Sequence, residues 1–166
     1  GHDAHPPDSV KSRAYYYNWS LGKTTRRWVC KWDGDMVAMD WLGDRVKTLM
    51  VDHDIIKIRG VNMAPGLTRM CRRAMTGLEP RFFRVSAATF YRQGPLCEVF
   101  SEPPAAEARV ASIDEPSFLH FKWAKPLNSI TAAWPPDWRA MKHFTDLAAR
   151  GEPGDPYVGE LPRALQ

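Results

Sequence analysis

Apolar positions change their spacing along the chain, and each change marks an element. Residues 1–12 are polar with a Pro6-Pro7 pair and are expected to form a flexible N-terminal segment. Ala14 to Trp19 is aromatic-rich and suits a strand. Lys23 to Arg26 makes a polar turn. Trp28 to Trp32 reads as a second strand, Asp33-Gly34-Asp35 as a hairpin turn, and Met36 to Trp41 as the partner strand. Leu42-Gly43-Asp44-Arg45 is a further break. Val46 to Ile58 is rich in β-branched residues and alternates over Ile55-Ile56-Lys57-Ile58, which predicts one or two more strands.

The spacing then shifts. Leu67, Met70, Cys71, Ala74 and Met75 recur at helical intervals, with Arg69, Arg72 and Arg73 on other faces. This predicts a short amphipathic helix ending at Gly77. Arg81 to Val85 reads as a strand. After the break at Gln93-Gly94-Pro95, Leu96 to Phe100 opens another apolar segment, which Pro103-Pro104 ends. Ser117 to Trp123 alternates and predicts a last strand. Trp138, Met141, Phe144, Leu147 and Ala148 have helical spacing, with Asp137 placed to cap them. Residues from Glu152 onward read as a loose tail. The expected fold is α+β, an antiparallel β-sheet with a packed helix. Its expected parts are a flexible segment (1–12), a core (13–103) and an extension with one strand and one helix (104–166).

Composition sharpens this division. The chain has 166 residues and a net charge of +4, from 23 Lys+Arg against 19 Asp+Glu. Residues 1–100 hold 16 Lys+Arg and 10 Asp+Glu, a net +6, whereas residues 101–166 hold 7 and 9, a net −2. Nine of the 14 prolines also lie in that shorter part. A basic core and a Pro-rich, slightly acidic C-terminal extension follow. A hydrophobic share of 44% is enough for a packed core. No apolar run approaches the roughly 20 residues of a membrane-spanning helix, so membrane insertion is not expected. Three cysteines outside any CxxC motif do not make a disulfide framework, which favours a reducing compartment.

Arg26-Arg27-Trp28-Val29-Cys30-Lys31-Trp32-Asp33-Gly34-Asp35-Met36-Val37-Ala38-Met39 reads as strand, turn and strand. The expected helix over 67–75 follows, then Arg81-Phe82-Phe83-Arg84-Val85, then Leu96-Cys97-Glu98-Val99-Phe100. Over residues 13–103 this order resembles the H-box/NC family. These are circularly permuted NlpC/P60-like (papain-like) proteins that include phospholipid acyltransferases and the 2A proteins of several picornaviruses, the kobuvirus type in particular. Trp28, the Asp33-Gly34 turn and Cys97-Glu98-x-Phe100 agree with the family pattern. Arg27 stands at the H-box His position, and Leu96 stands where an Asn precedes the cysteine. The ends fit release from a viral polyprotein, because viral cysteine proteases cut between Gln and a small residue, and the chain runs from Gly1 to Gln166.

The resemblance implies a viral 2A protein in the host cell cytoplasm. It would act in RNA replication and encapsidation with viral or host proteins and with viral RNA. The chemistry favours a non-enzymatic role. A thiol nucleophile needs a base within hydrogen-bond reach, and the Arg27 guanidinium stays protonated and cannot accept a proton. The alternative is a cysteine acyltransferase or hydrolase with Cys97 as nucleophile and His53 or His120 as base. The plainer expectation is that Cys30, Cys71 and Cys97 are small buried hydrophobes. No cluster has zinc-ligand spacing, and no phosphate-loop or dinucleotide motif occurs, so neither metal nor cofactor is expected. A further alternative is a basic RNA-binding domain unrelated to that family. Arg26, Arg27, Arg69, Arg72, Arg73, Arg81 and Arg84 are interleaved with Trp28, Trp32, Phe82 and Phe83, and cations beside aromatics suit phosphate contact and base stacking.

Overall fold

A computed structural model describes residues 10–64, 68–86, 89–93, 98–101, 108–122 and 153–166. The fold is α+β, built on antiparallel strand pairs with two helices among the described residues. The chain divides into two compact units. One draws on residues 1–31, 49–57 and 80–111, the other on 32–48, 58–79 and 112–166.

The first unit opens with helix α1 (Val10–Lys23) where the aromatic run predicted a strand. The reason lies in which positions are buried. Ala14, Tyr17 and Leu21 are spaced at i, i+3 and i+7 and pack on Ile55, Phe83, Tyr91 and Phe100. Asn18 shares that face, and its amide pairs with a strand backbone. Asn18 Nδ2 donates to the Tyr91 carbonyl and Asn18 Oδ1 accepts the Tyr91 N–H, both at 2.7 Å. One side chain thus satisfies both main-chain groups of Tyr91. Strand β1 (Trp28–Cys30) pairs with β5 (Glu79–Arg84), Val29 opposite Phe83. Strands β6 (Phe90–Gln93) and β7 (Glu98–Ser101) form a hairpin, Tyr91 opposite Phe100. Their rings close an aromatic core: Phe83–Phe100 centroids are 4.5 Å apart and Tyr17–Tyr91 centroids 4.9 Å.

The second unit contains β2 (Met36–Ala38), most of α2 (Leu42–Leu49), β4 (Arg69–Met75) and β9 (Pro153–Pro156). It also holds the larger parts of β3 (Ile55–Met63) and β8 (Val110–His120). Val61, Met63 and Leu119 form its core with Met39, Met70, Phe121 and Tyr157. Gly60 is required where β3 passes β8, because a Cβ there would overlap the Phe118 ring.

Several expected elements are different. The Asp33-Gly34 turn forms, with the Met36 N–H donating to the Asp33 carbonyl at 3.2 Å. It does not make a hairpin, because β1 pairs with β5 and β2 pairs with β8. Part of the run Val46 to Ile58 is helical, since α2 buries Leu42 and Val46 one turn apart. Of the helix predicted over 67–75, residues Arg69–Met75 instead form strand β4, held between β3 and β9 with a register shift against each. The tail is not loose throughout. The Tyr157 N–H donates to the Thr68 carbonyl at 2.9 Å, and Arg163 Nε donates to Asp40 at 2.9 Å. The predicted helix over 138–148 lies outside the described residues.

Candidate nucleic-acid interface

The outward side of α1 differs from its packed side. Tyr15, Tyr16 and Trp19 are exposed, Tyr16 at 55% and Trp19 at 46%. Tyr16 and Trp19 lie one turn apart, with ring centroids 6.2 Å apart and planes inclined by 25°. Lys23, one turn further, holds its ammonium 5.7 Å from the Trp19 ring centroid. Arg26 and Arg27 follow the helix, and both are exposed. Charge reinforces the placement. Between Asp8 and Asp33 there is no acidic residue, yet six cations occur: Lys11, Arg13, Lys23, Arg26, Arg27 and Lys31. Of these, Lys31 is committed inward, 3.8 Å from Glu98 and over the Tyr17 ring.

The predicted arginines therefore separate into two groups. Arg26 and Arg27 face solvent beside α1. Arg81 is 4% exposed and directs Nη1 to the Lys31 carbonyl at 3.5 Å. Arg84 lies 3.3 Å from Asp54, donates to the Met50 carbonyl at 3.2 Å and stacks over Trp28 at 5.4 Å. Arg81 and Arg84 thus hold the first unit together. Arg69, in the second unit, is exposed and donates Nε to the Gly154 carbonyl at 3.0 Å. The expected helical face of Arg69, Arg72 and Arg73 does not exist, because β4 is extended; the Arg72 and Arg73 side chains lie outside the described set. The residues that sequence reasoning missed are Tyr15, Tyr16, Trp19 and Lys23. Their signal was present in the acid-free stretch and in the i, i+3, i+7 spacing of Tyr16, Trp19 and Lys23.

The catalytic candidates have other surroundings. Cys97 lies outside the described residues. His53 caps the end of α2, where its N–H and its Nδ1 reach the Leu49 carbonyl at 3.1 and 3.0 Å. His120, in the second unit, lies 2.9 Å through Nδ1 from Asn62 Oδ1 and 3.4 Å through Nε2 from Asp35. Both ring nitrogens thus lie within reach of side-chain oxygens. The two described cysteines are poor nucleophiles at neutral pH. Burial pushes the Cys30 thiol up to about 11 against the opposing pull of Arg81, although the residue as a whole is exposed. Burial also pushes the Cys71 thiol up to about 11.

Among the described residues no group of three or more His, Cys, Asp or Glu side chains is arranged to hold a metal ion. Among the same residues no helix is long and apolar enough to cross a membrane. No protein-family model matches the chain, and neither a curated protein nor a solved structure is significantly similar to it.

Proposed function

We propose that this protein is a non-catalytic binding protein that contacts RNA through the outward face of α1 and the arginines that follow it. One observation carries the reading: Tyr16, Trp19 and Lys23 line one exposed helix face, Arg26 and Arg27 continue it, and no acidic residue interrupts the stretch. Cations neutralise phosphates and release counterions, and exposed ring faces accept bases. The resemblance to the H-box/NC 2A proteins supplies the setting: viral RNA replication and encapsidation in the host cell cytoplasm, with viral or host protein partners. Trp28, the Asp33-Gly34 turn and the Cys97-Glu98-x-Phe100 run support that setting. One member of the motif order, the helix expected over 67–75, is a strand over Arg69–Met75.

The test is RNA affinity against salt. Three phosphate contacts, from Lys23, Arg26 and Arg27, give a log–log slope of about −2 for a single strand, or roughly a twentyfold loss between 50 and 200 mM salt. Replacing Arg26 and Arg27 with Ala should bring the slope to about −0.7. Removing Arg69, in the other unit, should leave it unchanged. Undetectable or salt-insensitive binding would sink the proposal.

A further inference from the structure

We infer that the nucleic acid taken by α1 is single-stranded, with bases stacked on Tyr16 and Trp19 and phosphates held by Lys23, Arg26 and Arg27. This rests on the RNA-contact reading above and narrows its substrate class. All three exposed large hydrophobic side chains on the described part of α1 are aromatic. Tyr16 and Trp19 stand about 4.5 Å apart along the helix axis, and Lys23 about 6 Å beyond Trp19. Their near-parallel planes, inclined by 25°, give the two exposed rings a similar orientation. Tyr17 shows the contrast. It lies between them in sequence, is turned 60° from Tyr16, and packs inward on Tyr91.

Two exposed rings of this kind discriminate by access. In a duplex the base faces are already stacked on each other, so only phosphates and groove edges are presented along its length. Lys23, Arg26 and Arg27 could meet those phosphates, but Tyr16 and Trp19 would find no base face except at a duplex end. A single strand offers both, and stacking tolerates any base because each has a π-face. Charge selects a polyanion over a protein surface as the occupant. The face lies inside a stretch with six cations and no acid, and Arg26 and Arg27 have no acidic partner among the described residues.

The experiment measures binding of the whole chain to fluorescein-labelled 12-mer oligouridine, 12-mer oligothymidine and a 12-base-pair RNA duplex, all at one salt concentration. The single strands should bind at least tenfold tighter than the duplex. Trp19→Ala and Tyr16→Ala should each lose roughly five- to hundredfold for single strands. Both should keep the duplex affinity and the salt slope, and Trp19→Phe should recover most of the loss. Equal affinity for duplex and single strand, or alanine variants that lose as much affinity for duplex as for single strand, overturns this inference and leaves the RNA-contact reading standing. Absence of binding to all three overturns both. A Trp19-dependent dimer in sedimentation with no nucleic-acid binding also overturns both and makes the face a protein interface. Because Trp19 and Tyr16 are exposed, the thermal melting of the variants should match the parent, which separates loss of contact from loss of fold.

Discussion

The two units are made of similar material but differ in charge. The first carries 11 Lys+Arg against 7 Asp+Glu, a net +4; the second carries 12 against 12, a net of zero. The whole net charge of the chain therefore belongs to the unit that holds α1. Their polar side chains are also used differently. In the first unit Arg81, Arg84, Asp54 and Asn18 tie strands and helix together, while Lys23, Arg26 and Arg27 remain at the surface. In the second unit the Asn62–His120–Asp35 cluster and the Arg163–Asp40 pair are both internal links. The contrast agrees with the proposed surface: Arg81 and Arg84 are committed to structure, whereas Lys23, Arg26 and Arg27 are exposed beside the aromatic face of α1.

The strongest way to test the comparison is to damage each core separately. Phe83→Ala removes the ring at the centre of the first unit's aromatic cluster and should cost about 3–5 kcal/mol in urea unfolding. Gly60→Ala forces a Cβ against Phe118 in the second unit and should cost about 1–3 kcal/mol. A stability loss below 1 kcal/mol from either would mean that its core is not packed as described.

A smaller effect concerns Asp54. Hydrogen bonds from the Arg109 side chain and backbone, with the nearby Arg84 charge, hold its carboxyl below the ordinary value of 3.8. Since the folded value is depressed, the stabilisation is fully present above 3.8 and is lost as pH falls through the folded value. Arg109→Ala should therefore cost at most about 1 kcal/mol at pH 6, because the pair is partly exposed. The difference from the parent should vanish at strongly acidic pH. A gap that widens on acidification would contradict the assignment.

The smallest expected signal is thiol chemistry. Burial pushes the Cys30 and Cys71 thiols up to about 11, so both should resist alkylation at pH 7 and react faster as pH approaches that value. Rapid neutral labelling of Cys30 would show that its sulfur is not desolvated.

Elements with strong local signals were legible. The strands over Trp28–Cys30, Glu79–Arg84 and Val110–His120 were visible in part, because alternation or β-branched content marks a half-buried strand. The α+β class was legible for the same reason, and the Asp33-Gly34 turn from its own turn-forming residues. Arg26 and Arg27 were named as candidate contacts because they stand beside Trp28 and Trp32 in the sequence. Helix α1 was misread because three consecutive tyrosines favour a strand locally, whereas Ala14, Tyr17, Asn18 and Leu21 find their partners on β3, β5, β6 and β7. Segment 69–75 was misread in the opposite direction. Its apolar spacing fits a helix, yet its backbone is paired on both sides by strands distant in sequence.

The sequence by itself determined the class of the fold, the concentration of positive charge in its first part, and the presence of aromatics beside that charge. These are properties of composition and short-range order, and they survive whatever the chain does next. Only the tertiary structure decided which aromatics face outward, which arginines are used up inside, and which strands pair. Those outcomes depend on contacts between residues far apart along the chain, where one buried partner, such as Tyr91 for Asn18 or Asp54 for Arg84, outweighs local preference.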